Sequence, residues 1–407
     1  VKHEGRAANL ANSRIPKMQS NSSIDELIAC KPIRYTCELV VVRKSRMRVY
    51  LKTICLPVLV MLLLTGSIRA EAQTDLNETA AAISRTIDEI FQPSHQRFVE
   101  ATRQLLESAE ISCRDRSAQA VSRLRADYES LISAFARIEL YRMGPMTEQL
   151  RQNRLFYWPD KRRVGERQLR ELLSSASSAT LTEAALIEKS VALQGIPALE
   201  RLLYSKNATE NLVDVQTSNC HVATIITQNL HSMATAMNEG WTDESGLVSS
   251  MRDPTGDSRT FRNHQEVLQR LATLIVVGVD VVLDKKIQPL VGDNVSVKNA
   301  PLWLSEQTVT MITENHHGIR SLLIDSGLAT DTGLEDELQF EFRTVDSILE
   351  KLASLPSLTD EHTQLTRQTL SLTKALSAVV GGIQSTLNDR FVQRLGISAG
   401  FNSEDGD

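Results

Sequence analysis

Aromatic residues supply only 4% of the 407 residues, and glycine (18) and proline (11) are modest in number. Also missing are a glycine-rich phosphate loop, a zinc-type cysteine cluster, a calcium loop and a nucleophile elbow. No pair of histidines stands four apart around a glutamate on one helix. These absences set aside the commonest nucleotide, zinc-peptidase and hydrolase signatures. Cysteine is scarce too, with five in the chain. No apolar run reaches the roughly 20 residues that span a bilayer.

What is present reads first at the N-terminal side. From Met47 to Gln73 the chain has the parts of a secretory signal: Arg48 and Lys52 as a basic segment, the apolar run Ile54 to Leu64, and the small-x-small site Ala70-Glu71-Ala72. Cleavage is expected after Ala72, with export to the periplasm. The segment 1–46 reads as polar and basic, fitting a start assigned upstream of Met47. The rival reading is a membrane-anchored chain in which Arg43, Lys44, Arg46 and Arg48 form a cytoplasmic basic tail. Residues 1–72 hold 12 of the 45 Lys and Arg and 5 of the 50 Asp and Glu, so the remainder carries 33 basic and 45 acidic residues, near −12. That excess argues against a nucleic-acid partner and suits cations or basic partners. Membrane contact is expected only through the signal segment or by association. Cleavage would leave Cys113 and Cys220 as an even pair in an oxidising compartment, and a disulfide between them is expected.

Beyond residue 73 the apolar residues recur at helical spacing. Leu124, Tyr128, Leu131, Phe135 and Ile138 form one stripe. Others are Leu268, Leu271, Ile275 and Val282; Val345, Ile348 and Leu352; and Leu372, Leu376, Val379, Ile383 and Leu387. Breakers lie at Gly144-Pro145, Trp158-Pro159-Asp160, Asp253 to Asp257, Val291 to Asn294 with Pro301, and Pro356. The expectation is an all-α fold of eight or more helices in two packed bundles, 73–250 and 258–407.

Three segments carry a family likeness. They are Arg142-Met143-Gly144-Pro145; Arg154-Leu155-Phe156-Tyr157-Trp158-Pro159-Asp160 followed by Arg167 and Gln168; and the run Val191 to Tyr204, which contains Gln194-Gly195-Ile196-Pro197 and Glu200. Weaker matches run through Lys286 to Leu290 and Trp303-Leu304-Ser305. In content and order they resemble the imelysin-like family of exported bacterial proteins, from about Phe91 onward. The resemblance implies two helical bundles with a site between them, in a family that includes proposed peptidases and iron-uptake proteins. Where that family carries Gly-x-His-x-x-Glu, this sequence keeps Gly195 and Glu200 but has Pro197 at the histidine position. Proline offers no ligating atom, so zinc-assisted hydrolysis loses a ligand.

The candidate ligand-binding residues are therefore Gln194, Gly195, Pro197, Glu200, Arg154, Trp158, Asp160 and Arg142, with Glu200 the one candidate metal ligand. Iron or zinc is the implied cofactor, and a metal, a metal chelate or an envelope protein the partner. Pro197 is expected to free the Leu193 carbonyl and kink its helix, or simply to bend it around a neighbour. Glu200 needs a partner, with Arg142, Arg154 and Arg167 the candidates for an ion pair. Phe156-Tyr157-Trp158 reads either as a pocket wall or as core at a helix junction. His316 and His317, with Glu314 nearby, are the best remaining metal candidates, but neighbours on a helix point about 100° apart and do not readily serve one ion, so they read as surface histidines. The functional expectation is a non-catalytic envelope binding protein linked to metal acquisition. The alternatives are a metallopeptidase that recruits His264 or His317, and an envelope interaction module.

Overall fold

A computed structural model describes residues 77–396, apart from 257, 292–294, 357 and 359–364. The signal segment expected at 47–72, the cleavage expected after Ala72, and Cys30, Cys37 and Cys55 lie outside the described residues, as does His362. The described residues belong to one compact unit. The fold is all-α: among the described residues there is no β-strand, and no helix is long and apolar enough to cross a membrane.

The principal helices are α1 (Gln92–Asp115), α2 (Ala118–Ile138), α3 (Val164–Ser174), α4 (Ile196–Tyr204) and α5 (Asn219–Thr242). They continue with α6 (His264–Asp280), α7 (Thr308–Arg320), α8 (Glu335–Ala353) and α9 (Arg367–Thr386). The start of α2 is set by Ser117, whose side chain accepts from the Ala120 amide at 3.2 Å, satisfying one of the amides a helix leaves open. Its stripe from Leu124 to Ile138 is buried. α1 lies between α2 and α5, and α5 carries buried residues around most of its circumference, as its central position requires. In the second half α8 pairs with α9, while α6 runs into one wide π-helical segment, Val281–Ile287.

α7 packs across onto α2. Gly318 makes that crossing possible, because a Cβ there would run into the Arg137 carbonyl oxygen. The crossing is fastened by Tyr141 Oη donating to the Gly318 carbonyl (3.2 Å), Asn315 Nδ2 donating to the Ala136 carbonyl (2.6 Å) and the Arg137–Glu314 ion pair (2.5 Å).

The reading of His316 and His317 as surface histidines does not hold. α8 packs on α7 and carries Asp346 over both rings. His316 is 5% exposed, its Nε2 3.0 Å from Asp346 Oδ1 and its ring 4.9 Å from that of Phe342. His317, half-buried, reaches the same oxygen at 3.4 Å and lies 3.6 Å from Glu314. Burial lowers the His316 pKa, and Asp346 opposes the shift.

His95 gives the core a pH dependence. It is fully buried, with Nδ1 2.8 Å from the Phe91 carbonyl and its ring 5.7 Å from that of Trp241, and burial pushes its pKa down to about 4. An unfolded histidine titrates near 6.5. On acidification the unfolded chain therefore takes the proton first, and stability falls as pH drops from 6.5 towards 4. The expected loss from this residue is roughly 2–3 kcal/mol at pH 4.5. Urea unfolding at pH 7 and pH 4.5 should show it, and His95→Phe should reduce the difference by that amount.

Candidate functional site

A cavity of about 750 Å³ opens beside the start of α4 and the π-helical segment after α6. Five of the eight candidate residues line it: Arg142, Trp158, Asp160, Pro197 and Glu200. The aromatic segment answers both of its readings. Phe156 is buried, with its ring 5.6 Å from Phe135 and 6.2 Å from Trp158, yet Phe156, Tyr157 and Trp158 all face the cavity. Trp303 lines it too.

Arg154, Gln194 and Gly195 are not among the lining residues. Arg154 Nε donates to Gln194 Oε1 (2.7 Å) and its terminal nitrogen to Asn229 Oδ1 (3.0 Å). Asn229 Nδ2 in turn donates to the Gln194 carbonyl (2.8 Å), and Gln194 Nε2 to the carbonyls of Ile187 and Lys189. This buried network joins the segment 151–155 to α5 and to the turn before α4. It satisfies polar groups that would otherwise be costly to bury.

The kink expected at Pro197 is corrected by the structure. Gly195 is the N-cap of α4 and Pro197 lies in its first turn, where a missing amide costs no helical bond. Both Ala198 and Leu199 donate to the Gly195 carbonyl, at 3.1 and 3.2 Å, so the helix begins here without bending. Gly195 is required by close approach: a Cβ would collide with the carbonyl oxygens of Arg154 and Leu155. Gly195→Ala is expected to cost about 1–3 kcal/mol, since neither obstacle can rotate away. Gly381→Ala, with its nearest neighbour a Leu283 methyl at 4.0 Å, should instead gain about 0.5–1 kcal/mol from helix propensity. Urea midpoints of the two variants separate these signs.

The ion pair expected for Glu200 is also corrected. Glu200 is 5% exposed, and its partner is Ser305, whose amide (3.0 Å) and hydroxyl (2.8 Å) both donate to Oε1. Among the described residues it forms no salt bridge with Arg142, Arg154 or Arg167. Burial raises its pKa, partly offset by the Ser305 bonds. Asp160 caps α3 instead, accepting from the amides of Val164 (2.7 Å) and Gly165 (2.8 Å), with Arg201 3.8 Å away.

Sequence reasoning missed the charged group beneath the cavity. Lys286 is fully buried, with Nζ 2.5 Å from Glu139 Oε2 and 2.5 Å from Asn315 Oδ1, and Asn315 Nδ2 donates to the same Glu139 oxygen at 2.9 Å. Burial lowers the Lys286 pKa, and Glu139 opposes the shift. The available signal was the pair of weak segments Lys286 to Leu290 and Trp303 to Ser305, which carry Lys286, Trp303 and the Ser305 that holds Glu200.

As a metal site the residues at Glu200 do not fit. Pro197 has no ligating atom, Oε1 of Glu200 is engaged by Ser305, and among the described residues no group of three or more His, Cys, Asp or Glu side chains could hold a metal ion.

Comparison with known proteins meets this geometry from outside. No curated protein matches the chain. Among solved structures, an imelysin-like protein from Psychrobacter arcticum is similar with a TM-score of 0.62 at 18% identity, over 80% of this chain and 98% of that one. A "putative iron-regulated protein A precursor" from Parabacteroides distasonis gives 0.59 at 11% identity, over 77% and 95%. At these identities the likeness is one of fold. The imelysin family model matches residues 91–384, a range that includes Gly195, Pro197 and the cavity-lining Glu200. The chain belongs to the imelysin family.

Proposed function

We propose that this protein is a non-catalytic binding protein of the bacterial envelope, linked to the acquisition of iron or another metal, with the cavity at Glu200 as its binding site. The observation that carries the reading is the state of the motif. Its histidine position holds a proline that starts a helix, and its glutamate is tied to Ser305. A carboxylate buried in that way is poorly placed to activate water at an ion. The iron link is supported by family membership and by the iron-regulated protein of similar fold. The same cavity keeps aromatic walls and a few charged side chains, the usual make-up of a site that holds an organic ligand. With no metal-ligand set at Glu200, the cargo is better matched by a chelate than by a bare ion. Export through the segment 47–72 is part of this reading, as is the arrangement in two bundles.

The alternative peptidase reading would need another histidine at the cavity. Neither His264 nor His317 lines it: His264 Nε2 is 2.9 Å from the Arg252 carbonyl, and His317 faces Asp346.

The test uses protein purified from the periplasm after expression from Met47, alongside Pro197→His. Elemental analysis and titration with ferric citrate are the measurements. Saturable uptake of the chelate by the natural protein, with bare metal retained only by Pro197→His, is the expected result. Chelator-sensitive proteolysis that disappears in Glu200→Gln would overturn the reading, as would failure to bind any metal or chelate.

A further inference from the structure

The charges around the cavity are unequal in a way that a count of residues conceals. Four carboxylates line it, and three are already engaged by the protein: Glu139 by Lys286 and Asn315, Asp160 by two amides of α3, and Glu200 by Ser305. Asp284 is the fourth, exposed and without an ion pair among the described residues. The lining lysines, in contrast, are uncommitted. Lys161, Lys285 and Lys298 are exposed and form no ion pair among the described residues. Lys298 is instead held over the cavity wall, its Nζ 5.8 Å from the centre of the Trp303 ring. Arg201, also in the lining, is spoken for by Asp160 and Glu166, each 3.8 Å away, so the free positive charge is that of the three lysines. The cavity is therefore electropositive within a chain that is acidic from residue 73 onward, and a cleft with low-dielectric walls concentrates such a field.

The walls add a second requirement. Phe135, Phe156 and Trp158 form a run of tilted rings on one side, and Trp303 lines the cavity as well. Flat rings offer large contact area to another planar group at little entropic cost. An amine or a bare cation would meet three lysines and a single uncommitted carboxylate. A small inorganic anion would leave the rings and most of the 750 Å³ unused.

We propose that the ligand of this cavity is an anionic aryl compound, a carboxylate or phenolate on an aromatic ring, free or as the ferric complex of several such groups. The rings lie against the aromatic walls, and the negative charge is met by Lys285 and Lys298 near the opening. The size of the cavity favours the complex, since one benzoate-sized molecule fills a small part of it. The inference rests on the cavity being the binding site, as proposed above, and adds the charge and shape of what enters.

The experiment follows tryptophan fluorescence of the full chain during titration with four probes at pH 7: 2,3-dihydroxybenzoate, its ferric complex, neutral catechol and cationic benzylamine. Ferric citrate, a non-aromatic chelate, is titrated in parallel by equilibrium dialysis. An anionic aryl probe is expected to bind at least about tenfold more tightly than catechol, and more weakly as salt is raised. Lys285→Glu/Lys298→Glu should lose at least about tenfold in affinity, while its melting temperature stays unchanged because both side chains are exposed. Binding of the free acid alone identifies an organic-acid ligand, and binding of the ferric complex alone identifies a chelate; either supports the proposal. Catechol or benzylamine binding as tightly as the anions, or indifference to the charge reversals, would overturn it. If ferric citrate binds and no aryl probe does, the aryl inference fails and the binding function survives. If nothing binds, both fail.

Discussion

Lys286→Met is expected to lower the free energy of unfolding by about 3–5 kcal/mol, the range for removing one partner of a buried ion pair. The ammonium is fully buried and its two bonds go to Glu139 and Asn315. Methionine fills much of the same volume, so the loss does not come from a cavity. It comes from Glu139, 4% exposed, whose Oε2 keeps only the Asn315 amide as a donor. Converting the orphaned acid to its amide should repair most of the damage: Lys286→Met/Glu139→Gln is expected to recover at least about half of the loss, because no uncompensated charge remains. Urea unfolding of the natural protein and the three variants closes a double-mutant cycle. A single variant within about 1 kcal/mol of the natural protein would show that the pair is not the fastening it looks to be. The three groups come from the end of α2, the π-helical segment and α7, so their bond network joins the two halves of the chain directly beneath the cavity.

The helices and the place of the cavity were legible in the sequence to different degrees, for physical reasons. The stripe from Leu124 to Ile138 is visible because an α-helix repeats every 3.6 residues, and a single packed face leaves that period in the apolar positions. The segments Phe156 to Trp158 and Pro197 to Glu200 pointed to the cavity through the family resemblance that they carry, which local periodicity could not supply. The partners of these residues were not legible. Ser305 stands 105 positions from Glu200, and nothing in a local pattern links them. Lys286 follows Asp284 and Lys285 in what reads as a solvated charged run. In the wide π-helical turn there Lys286 faces inward while Asp284 and Lys285 face out. The angle between His316 and His317 was a correct statement about one helix. The separate reading of the two as surface histidines failed because α8 lays Asp346 across both rings. Pro197 misled for a related reason. In an apolar run it reads as a kink, whereas the close approach of Gly195 to the Arg154 and Leu155 carbonyls makes it the start of a new helix.

Loss of the Cys113–Cys220 disulfide is the other change expected to be large, at about 2–5 kcal/mol. The bond joins the C-terminal turn of α1 to the first turn of α5, with Cα atoms 5.5 Å apart and 107 positions between them in sequence. In the chain-entropy account a loop of that length removes about 4 to 5 kcal/mol of freedom from the unfolded ensemble. Packing supplies a second way for the bond to matter, because Cys220 is fully buried and Cys113 Sγ lies 3.2 Å from Thr224 Oγ1. The two contributions differ in what they do to denaturant sensitivity. A crosslink that acts through the unfolded state keeps that state compact, so its removal exposes more surface and raises the slope of unfolding free energy against urea. A lost packing contact moves the midpoint and leaves the slope alone. Cys113→Ala/Cys220→Ala and the reduced natural protein should therefore both show a lower midpoint with a steeper slope. Reduction should account for most of the effect, since it opens the loop while keeping both sulfur atoms in place. An unchanged midpoint after reduction would mean that the long α1–α5 contact already holds this end of the bundle without the bond. A lower midpoint at constant slope in the alanine variant alone would assign the stabilisation to the buried sulfur atoms and not to the closed loop.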